Sequence, residues 1–360
     1  MKILQISCLQ EETPPSGYGG IERFVHYFSN TLKRLDNEVT VVCRSGSKGG
    51  DYKMVYSDPD NLLSFVKGLL ENNTYDIVHL HVRDAGLISY LDSIKQPTVI
   101  TLHNNVRKSS AWVDILTNTG SNLFVTTISD SLNNRLKEAF TYQNQAEPKN
   151  GMVSLGYGMD VYSYIKHADP STTKKYYVYI GGLFRYKSVL DIVKKFAETG
   201  QDLLVVGPKD RNSEPDYIEA LEKMFDANKN IRYYGETKNE ADKIGMLSKA
   251  KGLIIATGYD PAESDCHEAF GLVMLEANSL GVPVFGYTKG NVKDYIQDGI
   301  NGYKFENMDD LPMLLKTAES VDLFSQCIEV AKEYDVEIVA KRYEELFKKI
   351  VQTSEGTETN

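Results

Sequence analysis

The 360-residue chain has no run of eighteen or more apolar residues, so no transmembrane helix is expected from it. Cysteine is scarce. The four, Cys8, Cys43, Cys266 and Cys327, are too far apart in sequence for a metal knuckle or a CxxC redox pair. Free, mostly buried thiols in a reducing cytoplasm are the expectation. A basic surplus is missing too: the formal net charge is −10, which argues against a general nucleic-acid binder. The acidity is uneven. Residues 1–165 carry 15 Lys/Arg against 17 Asp/Glu, and the remainder 25 against 33. The nearly neutral first half leaves room for contact with an anionic surface or acceptor. The N-terminus, MKILQISCLQEE, turns acidic too soon for a signal peptide and reads as a first strand. No metal-binding constellation is convincing. Asp58-Pro59-Asp60 has the DxD spacing of metal-dependent transferases, but Pro59 suits a first helical position and Asp58 reads as a cap.

What the chain does contain is an alternation of short apolar runs and amphipathic stretches. KILQIS (2–7), EVTVVC (38–43), DIVHLH (76–81), PTVITLH (97–103), LFVTTIS (123–129) and MVSLGY (152–157) read as buried parallel strands. The pattern restarts with YYVYIGGL (176–183), followed by DLLVVGP (202–208), NIRYYG (230–235), GLIIAT (252–257) and PVFGY (283–287). Helical stretches are expected at 21–35, 188–199, 214–227 and 238–249. The fold class is therefore α/β, with two Rossmann-like doubly wound domains whose strand ends face a crevice. We expect a first domain over 1–165, a polar linker at 166–175 (KHADPSTTKK) and a second domain over 176–330. A last helical stretch, roughly 322–351, has its end at 331–351 poised to pack back on the first domain. The polar residues 352–360 read as a disordered tail.

The chemistry concentrates in GYDPAESDCHEAFGLVMLEANSLGVPVFGY (258–287). A long polar loop leads to a helix that should open near Phe270 or Gly271 and stop at Gly281. The amides of Phe270, Gly271 and Leu272 would then lie at the positive end of a helix dipole, a natural seat for a diphosphate. Gly271 lets a phosphate approach its backbone. Glu268 precedes the helix and can accept hydrogen bonds from sugar hydroxyls. Glu276 lies five residues past Gly271, about 7.5 Å along the axis, within reach of a ribose diol. Taken alone, the two glutamates fit a solvated loop and a capped, half-buried helix better, with Glu268 a dipole partner and Glu276 a surface residue.

The stretch EAFGLVMLEANSLGVPV resembles the E-x7-E motif of the retaining GT-B glycosyltransferases, specifically family 4, and matches the usual pattern at every fixed position. The resemblance extends along nearly the whole chain. SGYGGIERFV (16–25) is similar to the family's Gly-rich loop, with Gly19 and Gly20 allowing close backbone approach to the donor. TLHNN (101–105) places His103 where the family has a histidine near the reacting sugar, although a lone histidine is more often structural. ISDSLNNRL (128–136) and GYGMD (156–160) resemble further landmarks. The chain departs from the family at GGLFRYK (181–187): Lys187 matches a basic residue of the diphosphate clamp, but Gly182 stands where an arginine is usual. Arg185, three residues on, is the candidate replacement, its alternative being an exposed loop arginine. In GNVKD (290–294), Asp294 replaces the usual glutamate.

The resemblance implies a GT-B fold and a metal-independent, cytoplasmic glycosyltransferase with a nucleotide-sugar co-substrate, UDP-sugar first and GDP-sugar next, and no cofactor. Lys187, Arg185 and the Phe270–Leu272 amides would stabilise the leaving diphosphate. Glu268 and His103 would face the sugar and Glu276 the nucleotide, and transfer would retain anomeric configuration. The acceptor would be a glycan, a lipid or a small molecule. Peripheral membrane contact through the Lys108–Phe124 region, with Trp112, Ile115 and Leu116, competes with a core role for those residues. A nucleotide-sugar epimerase, a glycan phosphorylase and a non-catalytic nucleotide-binding subunit remain alternatives.

Overall fold

The computed structural model describes residues 1–17, 19–209 and 214–357, with side chains described to residue 354. The chain divides into two compact units, residues 1–160 with 335–360, and residues 161–334.

The first unit is a parallel sheet flanked by helices. Its elements are β1 (Lys2–Ile6), α1 (Gly20–Arg34), β2 (Glu38–Cys43), β3 (Lys53–Tyr56), α2 (Leu62–Asn72), β4 (Ile77–Leu80), α3 (Ala85–Ser93), β5 (Thr98–Leu102), α4 (Trp112–Thr117), β6 (Leu123–Thr127), α5 (Asp130–Tyr142) and β7 (Met152–Ser154). The strand order is β3-β2-β1-β4-β5-β6-β7, so the topology reverses between β1 and β4. The strands at the centre are buried on both faces, which is why they read as short runs rich in Val, Ile and Leu. Edge strand β3 is half exposed and has no such run, so the sequence concealed it. Helix α1 buries Phe24, Val25, Phe28 and Leu32 along one stripe. Side-chain caps at Asp84 and Ser129 set where α3 and α5 begin, each accepting an amide hydrogen bond from the first turn.

The second unit holds α6 (Tyr162–Ile165), β8 (Tyr176–Ile180), α7 (Val189–Thr199), β9 (Leu203–Val206), α8 (Pro215–Ala227), β10 (Ile231–Gly235), α9 (Glu240–Leu247), β11 (Ala250–Ile255), α10 (Leu272–Ser279), β12 (Val284–Tyr287), α11 (Asn291–Tyr295), β13 (Gly302–Phe305), α12 (Leu311–Ala318) and α13 (Phe324–Lys332). All six strands are parallel, in the order β10-β9-β8-β11-β12-β13. The boundary between units falls at 160/161 rather than 165. The reason is local: Tyr164 is buried in the second unit, its hydroxyl bonded to Glu240 of α9.

The C-terminal segment differs from the single helical stretch expected over 322–351. Two helices are present, because Asp335 breaks the run and accepts the Glu337 amide hydrogen bond at 2.9 Å. The second, α14 (Val336–Thr357), continues well into the segment expected to be a disordered tail. There Thr353 and Ser354 hydroxyls donate to the carbonyls four residues back, at 2.8 and 3.0 Å. Residues 358–360 of that tail lie outside the described residues. Helix α14 belongs to the first unit. Tyr343 and Phe347 are fully buried in it, and the Tyr343 hydroxyl lies 3.1 Å from Thr101 Oγ1 and 3.3 Å from Thr126 Oγ1.

In the second unit, a buried amide network holds α10 to its surroundings. Asn278 Oδ1 accepts from the Tyr295 hydroxyl at 2.8 Å and from Asn301 Nδ2 at 3.0 Å. Its Nδ2 donates to the carbonyls of Val282 and Asn301 at 2.9 and 3.0 Å. Asn278 is fully buried, so removing it strands several polar groups without water. Asn278→Ala is expected to lower the free energy of unfolding by about 3 kcal/mol, read by urea denaturation.

Candidate functional site

The site in the second unit is assembled where β11 gives way to the loop before α10. Glu268 Oε2 accepts two hydrogen bonds, from Lys187 Nζ at 2.7 Å and from Thr257 Oγ1 at 2.8 Å. Its Oε1 has no partner among the described residues. Both members of the ion pair are largely buried, with side-chain exposures of 22% for Lys187 and 13% for Glu268. Lys187 sits on a single 3-10 turn, Arg185–Lys187, after β8. That turn is stapled to the loop after β11 by two bonds, Gly258 N–H to the Tyr186 carbonyl at 2.8 Å and Asp260 N–H to Ser188 Oγ at 2.9 Å.

The backbone around Glu268 is clamped from the other side by the GNVKD segment. The Asn291 amide donates to the Glu268 carbonyl at 2.9 Å, and Asn291 Nδ2 donates to the Phe270 carbonyl at 2.8 Å. A side chain at Gly290 would stand 2.5 Å from the Glu268 carbonyl oxygen, so this close approach requires glycine. Asp294 lies on the exposed side of α11.

Helix α10 begins at Leu272, two residues after the earlier of the two expected starts, Phe270, and one after the later, Gly271. Gly271 is its N-cap, with φ 84°, a left-handed conformation that excludes most other residues. Leu272 is thus the first helical residue, and Phe270 precedes the helix with its ring buried. The first-turn amides of Leu272 and Val273 have no acceptor within the helix, as at any helix start. Glu268 Cγ lies 3.1 Å from where a Gly271 Cβ would stand, so carboxylate and helix end are neighbours.

Glu276 is buried in mid-helix and its Oε1 accepts from Lys243 Nζ of α9 at 2.6 Å. It is not the surface residue that a merely capped, half-buried helix would carry there. Arg185 points elsewhere. Its Nε donates to Glu214 at 2.6 Å and its Nη2 to Asp216 at 3.0 Å, and the guanidinium carbon lies 5.0 Å from the Tyr217 ring centroid. The place of the usual arginine at Gly182 is closed by Phe184, whose ring stands 2.3 Å from any added Cβ.

In the first unit, three landmarks converge. Gly19 (φ 141°) is the N-cap of α1 and Gly20 its first residue. The Tyr157 hydroxyl donates to the Gly20 carbonyl at 2.8 Å, while its ring stacks on Phe24 and meets His103 edge-on at 5.5 Å. His103 is buried in a run of polar contacts. His103 Nε2 lies 2.8 Å from His81 Nδ1, and His81 Nε2 lies 2.7 Å from Gln5 Oε1. Beside them His79 bonds to Thr101 Oγ1 at 2.6 Å and packs against His81. His103 Nδ1 and His79 Nδ1 are buried without partners among the described residues.

Asp58 holds the cap position of a 3-10 turn with Pro59 first, but its side chain makes no cap bond. Among the described residues no group of three or more His, Cys, Asp or Glu is placed to hold a metal, and no helix is long and apolar enough to cross a membrane. Trp112 and Ile115 are half-buried and Leu116 is buried. The four cysteines are free, Cys43 and Cys327 buried, Cys8 and Cys266 partly so. Sequence reasoning missed Thr257 and Lys243. Thr257 had a signal, as the polar residue that ends a buried strand run. Lys243 had none.

The histidine cluster has a measurable consequence. Burial, with Arg83 nearby, pushes His103 down to about 3, and burial and neighbouring histidines hold His79 and His81 well below the usual range. The native state keeps these rings neutral, whereas the unfolded chain protonates them below about pH 6.5. Their contribution is present above that pH and is lost as pH falls toward the native values, by about 1.4 kcal/mol per pH unit for each ring. Denaturant midpoints are expected to fall steeply between pH 7 and 5, and His79→Leu to flatten the profile. An unchanged slope in that variant would contradict the assignment.

The family described as "Glycosyl transferases group 1" matches residues 163–320, and that described as "Glycosyltransferase Family 4" matches residues 18–145. A curated relative, the N-acetyl-alpha-D-glucosaminyl L-malate synthase of Bacillus anthracis, is 24% identical over 220 residues, 59% of this chain and 51% of the relative. The match thus spans about half the length of that relative. Among solved structures, AviGT4, a glycosyltransferase involved in avilamycin A biosynthesis, is 17% identical with a TM-score of 0.71, covering 98% of both chains. Anabaena HepE, solved in complex with UDP, is 15% identical with a TM-score of 0.73, covering 97% of this chain and 100% of that one. With two parallel-sheet Rossmann-like units of the GT-B type and both family regions in order along it, the chain belongs to the group 1 glycosyltransferases.

Proposed function

We propose that the protein transfers a sugar from a nucleoside diphosphate sugar to a hydroxyl acceptor, with retention of anomeric configuration and without a metal. The observation that carries this reading is the Lys187–Glu268–Thr257 cluster set against the Gly271 end of α10. Departure of the diphosphate builds negative charge. Lys187 and the amides at the start of α10, from Phe270 through Leu272, are the groups placed to stabilise it, and such preorganised donors act most strongly where charge develops. Glu268 faces the sugar hydroxyls through Oε1, and Glu276 takes the ribose. Gly19, Gly20 and His103 of the first unit keep the roles the resemblance implies, the glycines toward the donor and His103 toward the reacting sugar. The acceptor hydroxyl attacks from the face the leaving group departs, and the leaving phosphate takes its proton.

A UDP-sugar is the first-choice donor and a GDP-sugar the second. The UDP complex of a structural neighbour supports that order. A glycan, lipid-linked or small hydroxylated acceptor fits, and the malate in the name of the curated relative supports the small-molecule class. The protein acts in the cytoplasm, free or peripherally at the membrane, on this reading.

Arg185 takes a different role from the one its spacing implied. With its guanidinium held by Glu214 and Asp216, it braces the 3-10 turn that carries Lys187. Nucleoside diphosphate release should be measured with UDP-, GDP-, ADP- and TDP-sugars. Lys187→Ala is expected to lower turnover on the active donor by about a hundredfold or more, and Arg185→Ala by only a few-fold. Equal losses in both variants would return Arg185 to the diphosphate clamp. No release from any donor by the unmodified protein would overturn the proposed activity.

A further inference from the structure

Glu276 has surroundings that its motif does not account for. Lys243 on α9 brings Nζ to 2.6 Å from Glu276 Oε1 and to 3.2 Å from Glu240 Oε1. Side-chain exposures are 12% for Lys243 and 5% for Glu276, so the pair is nearly dry. Glu240 also accepts the Tyr164 hydroxyl, and the Lys243 ammonium lies 5.8 Å from the Tyr164 ring centroid. Three helices, α6, α9 and α10, are thereby joined through Tyr164, Glu240, Lys243 and Glu276.

Resting on the reading of this unit as the nucleotide site, we infer that Lys243 is a positioning residue that sets the selectivity of Glu276 for a ribose diol. A carboxylate has two oxygens, and rotation about its side-chain bonds interchanges and redirects them. The charge-assisted bond to Lys243 occupies Oε1 and fixes the group. Glu276 Oε2 has no partner among the described residues. It is the oxygen left for the 2′ and 3′ hydroxyls, each of which can donate a hydrogen bond. A buried pair of this kind contributes little net stability by itself, because desolvation offsets the attraction. Its value lies in orientation. Without the ammonium, Glu276 loses its counter-charge and its fixed rotamer, and the second hydroxyl no longer finds an aligned acceptor.

A purely structural tie between helices would behave differently. It would change the affinity for ribonucleotide and deoxyribonucleotide alike. Calorimetry on the full chain with UDP, GDP, ADP and their 2′-deoxy counterparts separates the two roles. The unmodified protein is expected to bind one ribonucleotide roughly tenfold or more tighter than its deoxy form, the worth of one hydrogen bond to a charged group. Lys243→Met should reduce that ratio to within about threefold, and Lys243→Arg should restore it. Adding Lys243→Met to Glu276→Gln should leave the ratio of Glu276→Gln unchanged, since the lysine acts through the glutamate. If circular dichroism shows Lys243→Met unfolded, Lys243→Gln reads the same ratio. A ratio that stays at its original value in a folded Lys243 variant, or a parallel loss of both affinities, would overturn the inference while leaving the nucleotide site intact. Absence of binding by all six nucleotides to the unmodified protein would instead overturn the site reading on which it rests.

Discussion

A carboxylate beside a helix end proposed to receive a diphosphate is an electrostatic conflict, and the ion pair between Lys187 and Glu268 resolves it. At 2.7 Å and largely out of water, the ammonium offsets the Glu268 charge and holds the carboxylate at one oxygen. Everything nearby serves that contact. Thr257 takes the same carboxylate oxygen, Asn291 and Gly290 grip the Glu268 backbone, and the 3-10 turn carrying Lys187 is tied to the following loop through Gly258 and Asp260. The site is therefore held by backbone and polar contacts from four segments distant in sequence. That is how a polar loop can keep a charged pair in a defined geometry.

Below the loop, the fold supplies the rigid floor. Buried parallel strands end at the site, and α10 is locked by the Asn278 network to residues that follow it. The first unit uses the same architecture with a different solution to buried polarity. Its strand ends carry three histidines in tilted ring contact, kept neutral by burial.

Most strands of both sheets were legible because a parallel strand buried on both faces is largely apolar. Edge strands β3 and β13 escaped notice because they lack that burial on both sides or sit after a turn-rich segment. The glutamates and Gly271 were legible as a motif, and the left-handed φ of Gly271 explains why glycine stands there. The partners were not. Lys243 and Thr257 reach Glu276 and Glu268 across 33 and 11 residues of sequence, through packing that no local pattern encodes. Arg185 shows the converse. Its spacing pointed at the diphosphate, but two carboxylates at the start of α8 compete for it and hold it. Proximity in sequence cannot rank such competitors, since the outcome depends on which charges the fold brings within reach.

The central claim is that the start of α10 and Lys187 together receive the diphosphate of the donor. A crystal structure of the full chain with a bound nucleoside diphosphate tests this most directly. The account expects phosphate oxygens within hydrogen-bond distance of the Gly271 and Leu272 amides and of Lys187 Nζ, with the ribose hydroxyls on Glu276. A nucleotide bound away from α10, with Lys187 still paired to Glu268, would contradict it.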